Sequence, residues 1–298
     1  STEMVIAAFL HGNDFEMDAA AGLSAPAGNN PSLLNTLRDA GYRAELLCLT
    51  AFPERPMLPR LAASIPTLRT TNDFAAFLAA FEAAAVDAPF AIHAWSQVPH
   101  THANLALAGH ARTLDDLTAG GCAVADNLLG AMLEILRRHG IAEETTVLVF
   151  GDHGDDHWTH GFKTGLTHGS EPYAGLIHTP LVIRDPDLPP GIDDRMASTV
   201  DLAATCLDLM GLPSTAPFPH SGRSLLELER RTVAFSQNFT AAQPDRPAQD
   251  VRKGFAAMDH AHILMVTSRG LQLFNHRLDP GNHANILHHF DLVDGAPL

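Results

Sequence analysis

Residues 146–157 read Thr146-Val147-Leu148-Val149-Phe150-Gly151-Asp152-His153-Gly154-Asp155-Asp156-His157. Five residues of apolar or β-branched character run straight into a glycine-flanked Asp-His pair. That is the pattern of a buried parallel strand delivering polar side chains at its carboxyl end. Open α/β sheets keep their chemistry at that edge.

Working outward, the flanking segments alternate between helix and strand. Residues 4–10 form a short apolar run fit for a helix start, with Ser1 or Thr2 placed to cap it. After a Gly/Ala/Asn-rich loop, residues 31–42 read as a helix closed by Gly41, and 44–49 as the strand after it. Residues 72–86 are helical in period, 90–94 form a strand ending at Trp95, and 113–139 make a long amphipathic helix with Gly120-Gly121 as a point of interruption. Beyond the central strand come a brief strand at 181–184 and a helix at 197–210, stopped by Gly211 and Pro213. From Pro219 the texture changes to short strand-like runs at 233–237, 254–258, 262–267 and 270–275, which predict an antiparallel sheet. The chain therefore divides near residue 215, into a core over 1–215 and a smaller unit over 216–298.

With 298 residues and 46% hydrophobic content, the chain can bury a sizeable core. Nineteen basic against 34 acidic side chains give a net charge of −15, which repels polyanions, so nucleic acid is not expected as a partner, and the acidity also serves as a solubility feature of the surface. Cys48, Cys122 and Cys206 form no metal-binding spacing and read as small hydrophobes. No signal-peptide pattern and no apolar run of 18 residues is read, so the chain is expected to be soluble. It opens abruptly on Ser1-Thr2-Glu3-Met4 without an initiator Met, and a missing N-terminal segment is expected.

Three groups of residues carry chemistry. Asp152 and His153 offer a carboxylate and an imidazole to a divalent cation, although Asp-His pairs also serve as satisfied loop polar groups. His157, His160, Lys163 and His168 follow within 16 residues and would supply positive charge and protons to a tetrahedral oxyanion. In Pro99-His100-Thr101-His102, an imidazole could protonate a leaving oxygen, or both rings could be solvent-exposed loop groups. Thr2, at the start of an apolar helix, is placed either to cap that helix or to use its dipole as a nucleophile.

The order of these pieces resembles the sulfatase branch of the alkaline phosphatase superfamily. The resemblance runs through Leu37-Arg38-Asp39-Ala40-Gly41-Tyr42, Pro99-His100, Val149-Phe150-Gly151-Asp152-His153-Gly154, and Thr179-Pro180-Leu181-Val182-Ile183-Arg184. It continues through Ser198-Thr199-Val200-Asp201-Leu202, Met210-Gly211-Leu212-Pro213, Gly222-Arg223-Ser224-Leu225-Leu226 and Leu273-Phe274-Asn275 with Asp279-Pro280. It implies an α/β, doubly wound and mostly parallel sheet with a small C-terminal antiparallel α+β subdomain. It also implies hydrolysis or transfer of a sulfate or phosphate ester through a covalent intermediate. Asp152 and His153 would then be metal ligands for Zn, Mn or Ca, with Thr2 a further one. His100 and Lys163 would contact the ester, His168 would face the substrate, and Asp201 would be structural. A periplasmic or other extracytoplasmic location is common in the family.

Departures from the family are equally specific. Sulfatases make a formylglycine nucleophile from Cys or Ser, with Pro or Ala two residues on and Arg four on. Counting back from Gly12 puts Thr2 at the nucleophile, with Met4 and Ile6 in place of Pro and Arg, and formylglycine cannot form from Thr. A Thr nucleophile is similar to the phosphoethanolamine and glycerol-phosphate transferases of the superfamily, as is His168-Gly169 before Pro172-Tyr173. The first strand, which brings acidic metal ligands in the family, would precede Ser1. Two readings remain: a metal-dependent ester hydrolase or transferase using Thr2, or an inactive descendant that keeps the fold as a binding protein.

Overall fold

The computed structural model describes residues 2–12, 32–50, 67–86, 89–100, 114–157, 159–160, 166–167, 171–213, 222–239, 253–267 and 269–287. In chain order the helices are α1 (Thr2–His11), α2 (Leu33–Asp39), α3 (Phe74–Ala85), α4 (Leu114–Arg138), α5 (Ala174–Ile177) and α6 (Asp201–Leu209). The strands are β1 (Arg43–Leu49), β2 (Leu68–Thr71), β3 (Phe90–Ser96), β4 (Val147–Phe150), β5 (Asp156–His157), β6 (Leu166–Thr167), β7 (Leu181–Arg184), β8 (Ala234–Phe239), β9 (Lys253–Met258), β10 (His262–Thr267) and β11 (Gly270–Asn275). They fall into two compact units, one of residues 29–147 with 184–188, the other of 1–28, 148–183 and 189–298.

In the first unit β1 pairs in parallel with β2 on one side and β3 on the other. A central parallel strand is covered on both faces, and β1 is buried from Ala44 to Leu49. Its one charged buried residue, Glu45, is held by Arg43 at 3.1 Å and by Arg69 of β2 at 2.9 Å, so the carboxylate enters the interior paired. Helix α2 starts where Ser32 Oγ accepts the Asn35 N–H (3.2 Å). It ends where Gly41, at φ +96°, lets the Tyr42 N–H reach back to the Leu37 carbonyl at 3.0 Å. Leu47 and Leu49 of β1 share a core with Phe77 and Phe81 of α3 and with Leu128, Ile135 and Leu136 of α4. Burying each of those phenylalanines is worth roughly 1.5–3 kcal/mol.

Helix α4 runs through Gly120-Gly121 without interruption, because interior glycines cost about 1 kcal/mol each but do not break the backbone ladder. Within it, the 21-residue stretch Thr118–Arg138 holds an 18-residue window of mean hydropathy 1.3, long and apolar enough by length and composition to cross a membrane. The sequence reading found no such run. Leu128, Ile135 and Leu136 pack with α3 and β1, while 22% of that apolar window is buried.

In the second unit β8 to β11 form an antiparallel sheet in the order β11-β10-β9-β8. Strand alternation sends Ala256, Met258, Ile263, Met265 and Phe274 inward, against Tyr173, Ala174 and Leu176 of the α5 region. On the other face Phe235, Phe255, Leu264, Val266 and Leu271 stay 39–64% exposed. Helix α6 carries Asp201, Thr205 and Asp208 at spacings of four and three, which puts them on one face. That face fastens the segment 222–226. Asp201 Oδ1 accepts the Arg223 N–H (3.0 Å), Thr205 Oγ1 accepts the Leu225 N–H (2.9 Å), and Ser224 Oγ donates to Asp208 Oδ2 (2.6 Å). Arg231 adds a two-pronged pairing to the Asp201 carboxylate, its Nε at 2.8 Å from Oδ2. Asp201 is thus structural, as the sequence predicted.

Candidate active site

Strand β4 pairs with β7 and ends at Phe150, so the next residues emerge at its carboxyl edge. The turn that follows lies directly on the segment 175–180. Gly151 N–H donates to the Pro180 carbonyl (3.2 Å) and Gly154 N–H to the Leu176 carbonyl (2.9 Å). A Cβ on Gly154 would sit 2.1 Å from the Gly175 carbonyl oxygen, so only glycine lets the backbones approach this closely.

Asp152 and His153 project from this turn, their side chains 24% and 12% exposed. Asp152 Oδ1 accepts the His153 N–H at 3.0 Å. The Nδ1 of His153 lies 3.0 Å from the Gly154 carbonyl, and a carbonyl only accepts, so Nδ1 donates there and Nε2 is the nitrogen turned to Asp152. Nε2 is 3.5 Å from Asp152 Oδ2. Two ligands at about 2.1 Å from one tetrahedral ion stand about 3.4 Å apart, and a ring whose other nitrogen binds a carbonyl is oriented as metal-bound histidines are. The pair therefore fits as two ligands of a divalent cation. Among the described residues there is no group of three or more metal-ligating side chains.

Helix α1 belongs to the same unit, and its Phe9 ring lies 5.2 Å from that of Phe150 at the end of β4. Thr2 is its first residue, seven positions before Phe9, or about 10 Å along the axis. The placement of the Thr2 hydroxyl is outside the described residues, as are Lys163 and His168. Ile6, at the expected arginine position, is 2% exposed in the core. His100 belongs to the other unit, where its N–H donates to the Gln97 carbonyl at 2.9 Å. The structure therefore brings Asp152 and His153 together with each other.

The sequence reading did not assemble a second polar cluster nearby. Asp156, buried at the start of β5, takes the Thr159 N–H (2.8 Å) and the His160 Nδ1 (3.2 Å). The His160 ring stacks on Tyr173 at 3.4 Å, and the Tyr173 hydroxyl donates to Glu171 at 2.7 Å. Burial and the Glu171 carboxylate push the Tyr173 phenol well above its usual range, so it stays protonated. The one sequence signal was the four-residue spacing of Asp156 and His160.

Residues 2–212 match the family described as Sulfatase. Arylsulfatase K of Danio rerio is 36% identical over 118 residues, which are 39% of this chain and 21% of that protein. The chain matches about a fifth of the length of such curated relatives. A solved 2-O GAG sulfatase has a TM-score of 0.71 at 13% identity, covering 98% of this chain and 78% of that one. The phosphonate monoester hydrolase of Agrobacterium radiobacter has a TM-score of 0.67 at 16% identity, covering 98% and 84%. At these identities the likeness establishes the fold. It is an alkaline-phosphatase-like α/β architecture with a parallel sheet and a separate antiparallel sheet.

Proposed function

Since the chain belongs to the sulfatase family, we propose that it carries the core of a metal-dependent hydrolase or transferase acting on sulfate or phosphate esters. The observation that carries this reading is the 3.5 Å approach of Asp152 Oδ2 and His153 Nε2, with the imidazole oriented by the Gly154 carbonyl. Asp152 and His153 would hold the cation, and the imidazole donor favours Zn or Mn over Ca. When bound, such a cation supplies Lewis-acid stabilisation of the ester's nonbridging oxygens and of a nearby nucleophilic oxygen.

The Thr2 hydroxyl is the nucleophile of this reading. Its oxygen gives up its proton to solvent as it bonds to the sulfur or phosphorus, the ester oxygen leaves with a proton from His168, and Lys163 steadies the equatorial charge. Water then cleaves the Thr2 ester, or an acceptor alcohol does so in a transferase. Without a Cys or Ser for formylglycine, a phosphorus ester suits Thr2 better. The core over 1–215 and the subdomain over 216–298 remain the proposed division of the chain.

A second reading, an inactive sulfatase-like binding protein, is favoured by one observation. The position expected to place an arginine at the nucleophile holds Ile6, buried in the core. Turnover of p-nitrophenyl sulfate and p-nitrophenyl phosphate by the full-length protein decides between the two. Thr2→Ala and Asp152→Asn should each abolish activity. If both variants retain full turnover the site assignment fails, and if the unmodified protein binds no metal and turns over neither ester the binding-protein reading replaces it.

A further inference from the structure

The outer face of the β8–β11 sheet is apolar and open to water. Its strand register lines the outward side chains into two rows that cross all four strands. One row is Phe235, Ala257, Leu264 and Leu273, and the other is Gln237, Phe255, Val266 and Leu271. None of these eight side chains is charged, in a chain whose net charge is −15. Phe235 is 64% exposed, Val266 49% and Leu271 48%, and an open apolar patch of this kind marks an interaction surface.

The face is preformed. Ile263 and Met265, which point the other way from β10, are fully buried and hold the sheet from behind. Along the outer edge of β11 the Ile286 N–H donates to the Leu273 carbonyl (2.8 Å), and Asn285 Oδ1 accepts the Leu273 N–H (3.0 Å). That edge is closed to a further strand at Leu273, so what this side of the sheet offers is its face.

Area and layout both suit a second copy of the same chain. At their exposures Phe235, Phe255, Leu264, Val266 and Leu271 leave roughly 400 Å² of apolar surface open. Two copies face to face would cover roughly 800 Å² from these side chains alone, and Leu273, Ala257 and Gln237 in the same rows carry the total past the ~1,000 Å² of a specific interface. The two rings lie on the β8–β9 half, and Leu264, Val266, Leu271 and Leu273 on the β10–β11 half. A two-fold axis parallel to the strands lays the aromatic half of each copy on the aliphatic half of the other, so large side chains meet smaller ones.

We infer that this face joins two copies of the chain, sheet on sheet, in a two-fold dimer. The contact holds no ion pair, while the two chains repel each other through their net negative charge. Salt shortens the reach of that repulsion to about 8 Å at physiological strength, so it tightens the dimer, whereas an interface built on ion pairs would loosen. The inference is independent of the ester-cleaving reading, since none of its residues belongs to that site.

The test is sedimentation velocity of the full chain between roughly 1 and 100 μM, at about 0.05 and 0.5 M sodium chloride. A monomer–dimer equilibrium is expected, with the dimer tighter at the higher salt. Val266→Glu puts a carboxylate in the middle of the contact and should weaken the dimer at least tenfold. Phe235→Ser removes the most exposed ring of the face and decides the matter if Val266→Glu does not fold. Ile192→Glu, at a 99% exposed apolar residue outside this sheet, should leave the dimer as it is. A chain that stays monomeric throughout, as it would with another segment or another protein on this face, overturns the inference. So does a dimer that survives in the folded face variants, that is lost equally with Ile192→Glu, or that loosens as salt rises.

Discussion

Replacing Gly154 by Ala tests how tightly the turn under Asp152 and His153 is built. The added Cβ would lie 2.1 Å from the Gly175 carbonyl oxygen. A carbon and an oxygen normally approach no closer than about 3.3 Å, so the turn or the α5 backbone must shift by roughly 1.2 Å. Both partners are backbone, and the Leu176 carbonyl holds the Gly154 N–H at 2.9 Å, so no flexible side chain absorbs the shift. We expect a stability loss of about 1–3 kcal/mol by urea denaturation, the range for overpacking. Displacing the turn also breaks the orientation that the Gly154 carbonyl gives His153, and zinc affinity should fall about 10–100-fold by calorimetry. Gly175→Ala is the control, because its Cβ would meet nothing within 4 Å. If Gly154→Ala unfolds within 0.5 kcal/mol (about the noise of a surface substitution) of the unmodified protein and binds zinc equally well, the geometric argument for this turn is refuted.

Asp201→Ala leaves Arg231 without its carboxylate and strips the Arg223 and Ser198 N–H groups of their acceptor. A loss of about 3–5 kcal/mol is expected in the same denaturation assay, and under 1 kcal/mol would contradict the structural role assigned to it. Burial pushes the Cys48 thiol up to about 12, whereas Cys122 is exposed. Alkylation at pH 8 followed by mass spectrometry should mark Cys122 quickly and Cys48 only after unfolding. Because the folded pKa of Cys48 lies above its ordinary 9.0, the unfolded chain gives up this proton first, and its contribution to stability is lost as pH climbs from 9.0 towards about 12.

Much of the architecture was legible because local signals and tertiary packing agree. Gly41 closes α2 as read, the apolar run of β1 became a central strand, and four short alternating segments became the β8–β11 sheet. Strand β2 was not legible: three of the four residues in Leu68-Arg69-Thr70-Thr71 are polar, and it pairs along the edge that β1 offers. At the site, the Asp152-His153 pair could be read from its glycines and from the strand before it. Tyr173, Glu171 and Arg269 could not be joined to His160, since Arg269 lies 109 positions away and only the folded sheet brings it there. The same holds for Gly154. Its necessity comes from the Gly175 carbonyl, which no local pattern announces.

The fastening of residues 222–226 onto α6 has a practical corollary for protein engineering. Leu212 N–H is tied to the Leu207 carbonyl at 2.8 Å and Gly222 N–H to the Gly12 carbonyl at 3.3 Å, which adds to the anchoring of this segment. An epitope tag or a fluorescent reporter is therefore best kept out of residues 222–226, where an insertion would pull Arg223, Ser224 and Leu225 off their α6 partners.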